Sequence, residues 1–183
     1  MLNIPNALSL LRIILIPVLI IVFMLPYDFA AVWATIIFVI ASLTDWLDGY
    51  LARKWNQTSS FGAFIDPVAD KLIVATALVL VLYKTPTWYI LLPVVVVIGR
   101  EITVSALREW MAELGQRNAV KVSYIGKLKT VFQMISIVCL LFYSPLAGLP
   151  VFDIGIVLLY VAAGLTISSM MSYLRAAWST LIS

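Results

Sequence analysis

The chain has 183 residues, of which 63% are hydrophobic and only 11% charged, with a formal net charge of +3. A water-soluble domain carries about a quarter of its residues as charges, so this composition excludes a soluble globular enzyme and points to a polytopic membrane protein. There is no histidine, and the one cysteine, Cys139, sits in an apolar run; disulfide scaffolds and Cys/His zinc sites are excluded, and proton transfer near neutral pH falls to carboxylates, with lysine or tyrosine as weaker alternatives.

The apolar runs fall in chain order at 8–26, 29–52, 62–83, 87–110, 128–144 and 151–175. Each is close to the roughly 20 residues a spanning helix needs, so the pattern predicts six transmembrane helices. No length remains for a soluble domain, and 1–183 reads as a single integral membrane domain. The segment NIPNALSLLR precedes the first full span. It predicts a short N-terminal interfacial helix, with Asn6 and Ser9 as caps. Arg12 would then snorkel to the interface or contact an anionic head group. The first run lacks the basic start and small-residue cleavage site of a removable signal.

The breaks carry turn chemistry, at Pro26-Tyr27-Asp28, at 56–60, at Thr85-Pro86-Thr87 and from Pro145 to Pro150. Basic residues are one-sided. Arg12, Arg53, Lys54, Arg108, Arg117, Lys121, Lys127, Lys129 and Arg175 lie at the termini or near the loops after the second and fourth helices, against Lys84 alone on the other side. Positive-inside bias puts both termini in the cytoplasm. These residues sit at membrane boundaries, so no nucleic-acid partner is implied.

Four aspartates break the apolar text. Asp45 and Asp48 are three apart near the end of the second helix, hence on one face, which Gly49 and Ala52 share. Asp66 and Asp70 are four apart near the start of the third. Two antiparallel helices joined by a short loop bring both pairs to similar depth, just below the cytoplasmic surface. A carboxylate at bilayer depth costs on the order of 2.5–3.5 kcal/mol, and converging anions require a cation. Oxygen donors favour magnesium, manganese or calcium, and two such ions suit phosphoryl chemistry. Structural alternatives exist residue by residue. Asp66 precedes Pro67 as an N-cap would, Asp48 has Arg53 and Lys54 near it, and Asp70 has Lys71.

The spacing Asp45-x-x-Asp48-Gly49-x-x-Ala52-Arg53, eight residues, Gly62-x-x-x-Asp66-x-x-x-Asp70 resembles the signature of the CDP-alcohol phosphotransferase family, with every signature position filled. NIPNALSLLR, REITVSALREWMAELGQR and IGKLKT extend the likeness to the family's bacterial glycerophosphate branch. The resemblance implies a six-helix, often homodimeric membrane fold with a polar cavity open to the cytoplasm of the bacterial inner membrane. It implies that Asp45, Asp48, Asp66 and Asp70 hold Mg2+ or Mn2+, as two ions, and that Asp70 is also the catalytic base. Asp48, Gly49, Ala52, Arg53 and Gly62 would surround the CDP group. The implied reaction transfers the phosphatidyl group of CDP-diacylglycerol to the 1-hydroxyl of sn-glycerol 3-phosphate and releases CMP.

A second polar set lies in the fourth and fifth helices. Arg100, Glu101 and Arg108 share one arc, and Lys127 and Lys129 open the fifth helix. Arg100, deepest in an apolar run, is expected to face a polar cavity. Arg100, Arg108, Lys127 and Lys129 are the expected holders of the acceptor's phosphate, with Glu101 steadying the arginines. The same chemistry on inositol phosphate, serine or a phospholipid is an alternative. A cation transporter is the alternative of another class, disfavoured because the acids cluster near one membrane face.

Overall fold

The computed structural model of the chain describes residues 4–27, 29–55, 59–115 and 124–182. Among them every regular element is helical, in the order α1 (Ile4–Phe23), α2 (Ala30–Lys54), α3 (Ser60–Lys84), α4 (Trp88–Glu113), α5 (Tyr124–Phe142) and α6 (Val151–Ile182). Lipid offers the backbone no hydrogen bonds, so an apolar run must satisfy its own N–H and C=O groups. This overrides local preference. The run Val94 to Val97 on α4 would favour a strand in water, yet it is helical.

Among the described residues, four helices are long and apolar enough to cross a membrane by length and composition, namely Ile4–Phe23, Ala30–Ala52, Trp88–Glu113 and Val151–Arg175, and Leu128–Phe142 is a shorter apolar helix. In α3, Asp66, Asp70 and Lys71 interrupt the apolar text. The separate interfacial helix expected before the first span is instead the opening of α1, which runs unbroken from Ile4. Pro67 lies inside α3 rather than in its first turn. Asp66 is therefore not an N-cap, and that structural explanation of its position falls away.

The buried interior is mostly apolar, with Leu19, Phe38, Ile73 and Leu140 among its residues, but it also encloses charges, and large apolar side chains face outward. Ile21, Val95, Ile102 and Val157 are among the most exposed side chains, whereas Arg12, Asp48, Arg100 and Lys129 are buried. Charged groups enclosed in membrane helices are candidates for a functional role.

The chain forms two compact units, one of Met1–Lys84 with Ile137–Phe152, the other of Thr85–Ser136 with Asp153–Ser183. In the first, α1 packs against both α2 and α3. Buried Ala34, Ala41, Ala69 and Ala77 line these helices, and their small side chains allow close approach. In the second, Val104, Met111 and Tyr173 form a buried apolar cluster with Leu107 and Met170 against it.

Candidate functional site

In the first unit the signature aspartates meet α1. Asn6, Ser9 and Arg12 follow one another at intervals of three, which puts them on one face, and all three are buried. The Arg12 guanidinium holds two of the aspartates. Its Nη1 lies 2.9 Å from Asp45 Oδ1, and its Nη2 donates to Asp48 Oδ2. The Ser9 hydroxyl lies 3.4 Å from Asp48 Oδ2 and also bonds Asp66 Oδ1, so one side chain links α2 and α3 through their acids. Asp45, Asp48 and Asp66 are thus gathered around α1 rather than directly around one another. Among the described residues, no three carboxylates stand together closely enough to cage an ion unaided. Asp70 lies one turn beyond Asp66 on α3 and is partly buried.

One helical turn toward the start of α1, the approach is tighter. Ser59 Oγ donates to Asn6 Oδ1 at 2.9 Å and accepts the Gly62 N–H at 2.9 Å. A Cβ on Gly62 would stand 2.5 Å from Asn6 Oδ1, so any larger residue would have to push the Asn6 side chain out of this contact. A cavity of about 120 Å³ opens here, and Asn6, Ala52, Ser59, Gly62 and Asp66 are among its lining residues. Two of the small residues expected around CDP, Ala52 and Gly62, therefore share a cavity wall with a signature aspartate. Gly49 lies on α2 one residue after Asp48. The side chain of Arg53 is outside the described residues.

Arg12 corrects the sequence reading. Expected at the membrane surface, it has no exposed area at all. Ser9, expected as a cap, is likewise inside a helix. Removing one partner of a buried ion pair costs about 3–5 kcal/mol, because the other charge remains buried. Arg12→Leu should therefore lower the thermal unfolding midpoint of the detergent-solubilised protein strongly, and Arg12→Lys less. An unchanged midpoint for Arg12→Leu would mean the pair contributes nothing to stability.

The second unit contains the other polar set. Arg100 Nη2 donates to Ser169 Oγ at 2.9 Å, and Nη1 lies 3.4 Å from Glu101 Oε1. Lys129 pairs with the same Glu101 oxygen. Arg108 Nη2 donates to the Tyr173 hydroxyl at 3.0 Å. The ring of Tyr173 lies 5.8 Å from the Arg100 guanidinium carbon and 5.2 Å from that of Arg108. Arg100, Arg108 and Lys129 are thus brought into one network by α4, α5 and α6. Glu101 steadies Arg100 and Lys129, while Tyr173 rather than Glu101 takes Arg108. The side chain of Lys127, together with Arg117 and Lys121, is outside the described residues.

Sequence reading missed Ser169 and Tyr173, which lie 69 and 65 residues from their arginine partners. It had a usable signal for α1, because polar residues at intervals of three inside an apolar helix mark a face turned to other polar groups.

The model of one protein family, described as CDP-alcohol phosphatidyltransferase, matches residues 2–173. A Salmonella choleraesuis (strain SC-B67) protein named CDP-diacylglycerol–glycerol-3-phosphate 3-phosphatidyltransferase is 53% identical over 180 residues, 98% of this chain and 97% of that protein. A protein of the same name from Yersinia pestis (strain Pestoides F) is 53% identical over 181 residues, 99% of this chain and 98% of its own length. One from Salmonella typhimurium (strain LT2) is 52% identical over 180 residues, with 98% and 97% covered.

Proposed function

We propose, from the premise that the chain belongs to the CDP-alcohol phosphatidyltransferase family, that it transfers the phosphatidyl group of CDP-diacylglycerol to glycerol 3-phosphate, giving phosphatidylglycerophosphate and CMP. The observation that carries the reading is the likeness of more than half of all positions, end to end, to proteins named for that reaction. The protein works as one integral membrane domain over 1–183, with six spans, α3 and α5 included. It sits in the bacterial inner membrane as a homodimer, with both termini and a polar cavity on the cytoplasmic side, as its one-sided basic residues suggest.

The donor set suits a divalent ion. Asp45, Asp48 and Asp66 supply hard oxygens on two helices, and the first two already accept one cationic group, the Arg12 guanidinium. In this reading Asp45, Asp48, Asp66 and Asp70 hold magnesium or manganese, as two ions. A metal held there would supply positive charge to neutralise the diphosphate and lower the energy of charge developing on it. Asp48, Gly49, Ala52, Arg53 and Gly62 surround the CDP group, whose close approach the small residues permit. Asp70 removes the proton from the acceptor's 1-hydroxyl, and that oxygen attacks the lipid-side phosphorus. The bond to the CMP oxygen breaks, and the proton stays on Asp70 until CMP departs.

Arg100, Arg108, Lys127 and Lys129 bind the acceptor's phosphate. A hydrogen bond to a charged group contributes about 1.5–3 kcal/mol, so Arg100→Ala should raise the acceptor KM by about 10- to 150-fold and leave that for CDP-diacylglycerol nearly unchanged. Purified protein supplied with magnesium, CDP-diacylglycerol and glycerol 3-phosphate, inositol phosphate, serine or a phospholipid tests the reading directly. CMP release is expected with glycerol 3-phosphate. Release with another alcohol instead, or with none, overturns the assignment.

A further inference from the structure

We infer that Tyr173 is a positioning residue for the acceptor phosphate, holding Arg100 and Arg108 on one ring so that their free N–H groups converge on a phosphate monoester. The inference rests on the acceptor reading given above and adds a residue that the charged pattern of α4 and α5 does not contain.

Arg100 and Arg108 both lie on α4. Eight residues separate them, about 12 Å along the axis of α4. Their guanidinium groups would repel if free, and long side chains so placed would sample many rotamers. Tyr173 reaches both from α6. Its ring stands within cation–π range of each, 5.8 Å from Arg100 and 5.2 Å from Arg108. Its hydroxyl accepts from Arg108 at 3.0 Å. Tyr173 is itself fixed, being 5% exposed and packed with Val104 and Met111. One rigid residue thus restrains two flexible cations.

What the restrained cations leave unused points to the ligand. Nε of Arg100 and Nε of Arg108 are both buried without a hydrogen-bond partner. A planar guanidinium has five N–H donors, and the contacts to Ser169, Glu101 and Tyr173 engage only part of them. Charge agrees. Among the described side chains in direct contact here, Arg100, Arg108 and Lys129 are cationic and Glu101 alone is anionic. The two arginines at the Tyr173 ring thus carry two positive charges, opposite in sign and equal in number to those of a phosphate monoester dianion. Buried orphan donors are costly unless a ligand engages them. The forked geometry of arginine matches phosphate oxygens in pairs.

Steady-state kinetics on the purified enzyme test this, with each substrate varied in turn. Tyr173→Phe keeps the ring and loses the Arg108 acceptor; it should raise the KM for glycerol 3-phosphate a fewfold. Tyr173→Leu removes the ring as well and should raise it by about 5- to 30-fold. In both, kcat at saturating acceptor and the KM for CDP-diacylglycerol should stay near wild type. A merely structural Tyr173 would lower the active fraction and leave the acceptor KM unchanged, and that result for Tyr173→Leu overturns the inference. If the leucine variant is not recovered folded, Tyr173→Met, which fills similar space without a π face, is read by the same criterion. Arg100→Ala, run alongside, separates the two claims. An unchanged acceptor KM in Arg100→Ala overturns the acceptor reading and this inference with it. A raised KM there with no change in Tyr173→Leu overturns the positioning role alone.

Discussion

Asp45→Asn, Asp48→Asn and Asp66→Asn are each expected to abolish turnover in magnesium. The exchange is nearly isosteric, but it removes a negative charge and replaces one hard anionic oxygen by an amide nitrogen that does not bind such ions. Stabilisation of phosphoryl charge by a bound metal is worth several kcal/mol. At tenfold per about 1.4 kcal/mol, its loss lowers the rate on the order of 1,000-fold or more. The surroundings of the three residues make the comparison informative. Asp45 and Asp48 share Arg12, and Asp66 bonds Ser9. Each substitution therefore also disturbs a contact with α1, and loss of activity by itself does not separate chemistry from folding.

Two measurements resolve this. Thermal unfolding of each variant in detergent reports the structural part, with Arg12→Leu as the benchmark for a broken contact. CMP release reports the chemical part. The expected pattern is complete loss of turnover in all three, with a large loss of stability for Asp48→Asn, which leaves the buried Arg12 charge without its buried partner, a smaller loss for the other two, and partial recovery of Asp45→Asn at high manganese because that side chain is 42% exposed and accessible. Near-normal rates in any two of the three variants would sink the metal-site assignment.

How much of this was legible in the sequence depends on the distance over which each feature is encoded. The helices follow from composition over windows of about 20 residues, because lipid leaves the backbone few other choices. The faces of Asp45 with Asp48 and of Asp66 with Asp70 follow from helical periodicity alone. The place of α1 does not. Ser9 lies 57 residues from Asp66 and Arg12 lies 36 from Asp48, so neither contact has a local pattern. Reasoning from adjacent helices set α2 directly against α3 and overlooked the helix packed against both. The role of Arg12 was misjudged for a physical reason. A lone arginine near the end of an apolar run is normally drawn to the interface, and here the buried Asp48, with Asp45 beside it, reverses that preference. Tyr173 was invisible for a similar reason, being one of four aromatics in the apolar text of α6, with its arginine partners on another helix.

Asp70→Asn is expected to slow the chemical step while leaving CDP-diacylglycerol binding detectable. With no histidine anywhere in the chain, the proton of the acceptor's hydroxyl must go to another group, and a carboxylate one turn beyond Asp66 is well placed on α3. An asparagine amide cannot take that proton. Loss of a general base typically lowers the rate by about 100- to 10,000-fold. The same substitution removes one proposed metal ligand, so the observed loss combines two effects. Titrating magnesium to saturation separates them: the part that recovers belongs to metal binding, and the part that persists belongs to the base. Binding of CDP-diacylglycerol, measured independently of turnover, should survive because Asp45, Asp48 and Asp66 and the cavity beside Ala52 and Gly62 are untouched. Asp70→Glu, which keeps the carboxylate but moves it by one methylene, should retain more activity than Asp70→Asn. Wild-type turnover in Asp70→Asn would rule the residue out as the base and shift the search to the remaining acids of the signature, beginning with Asp45 on α2, which is 42% exposed.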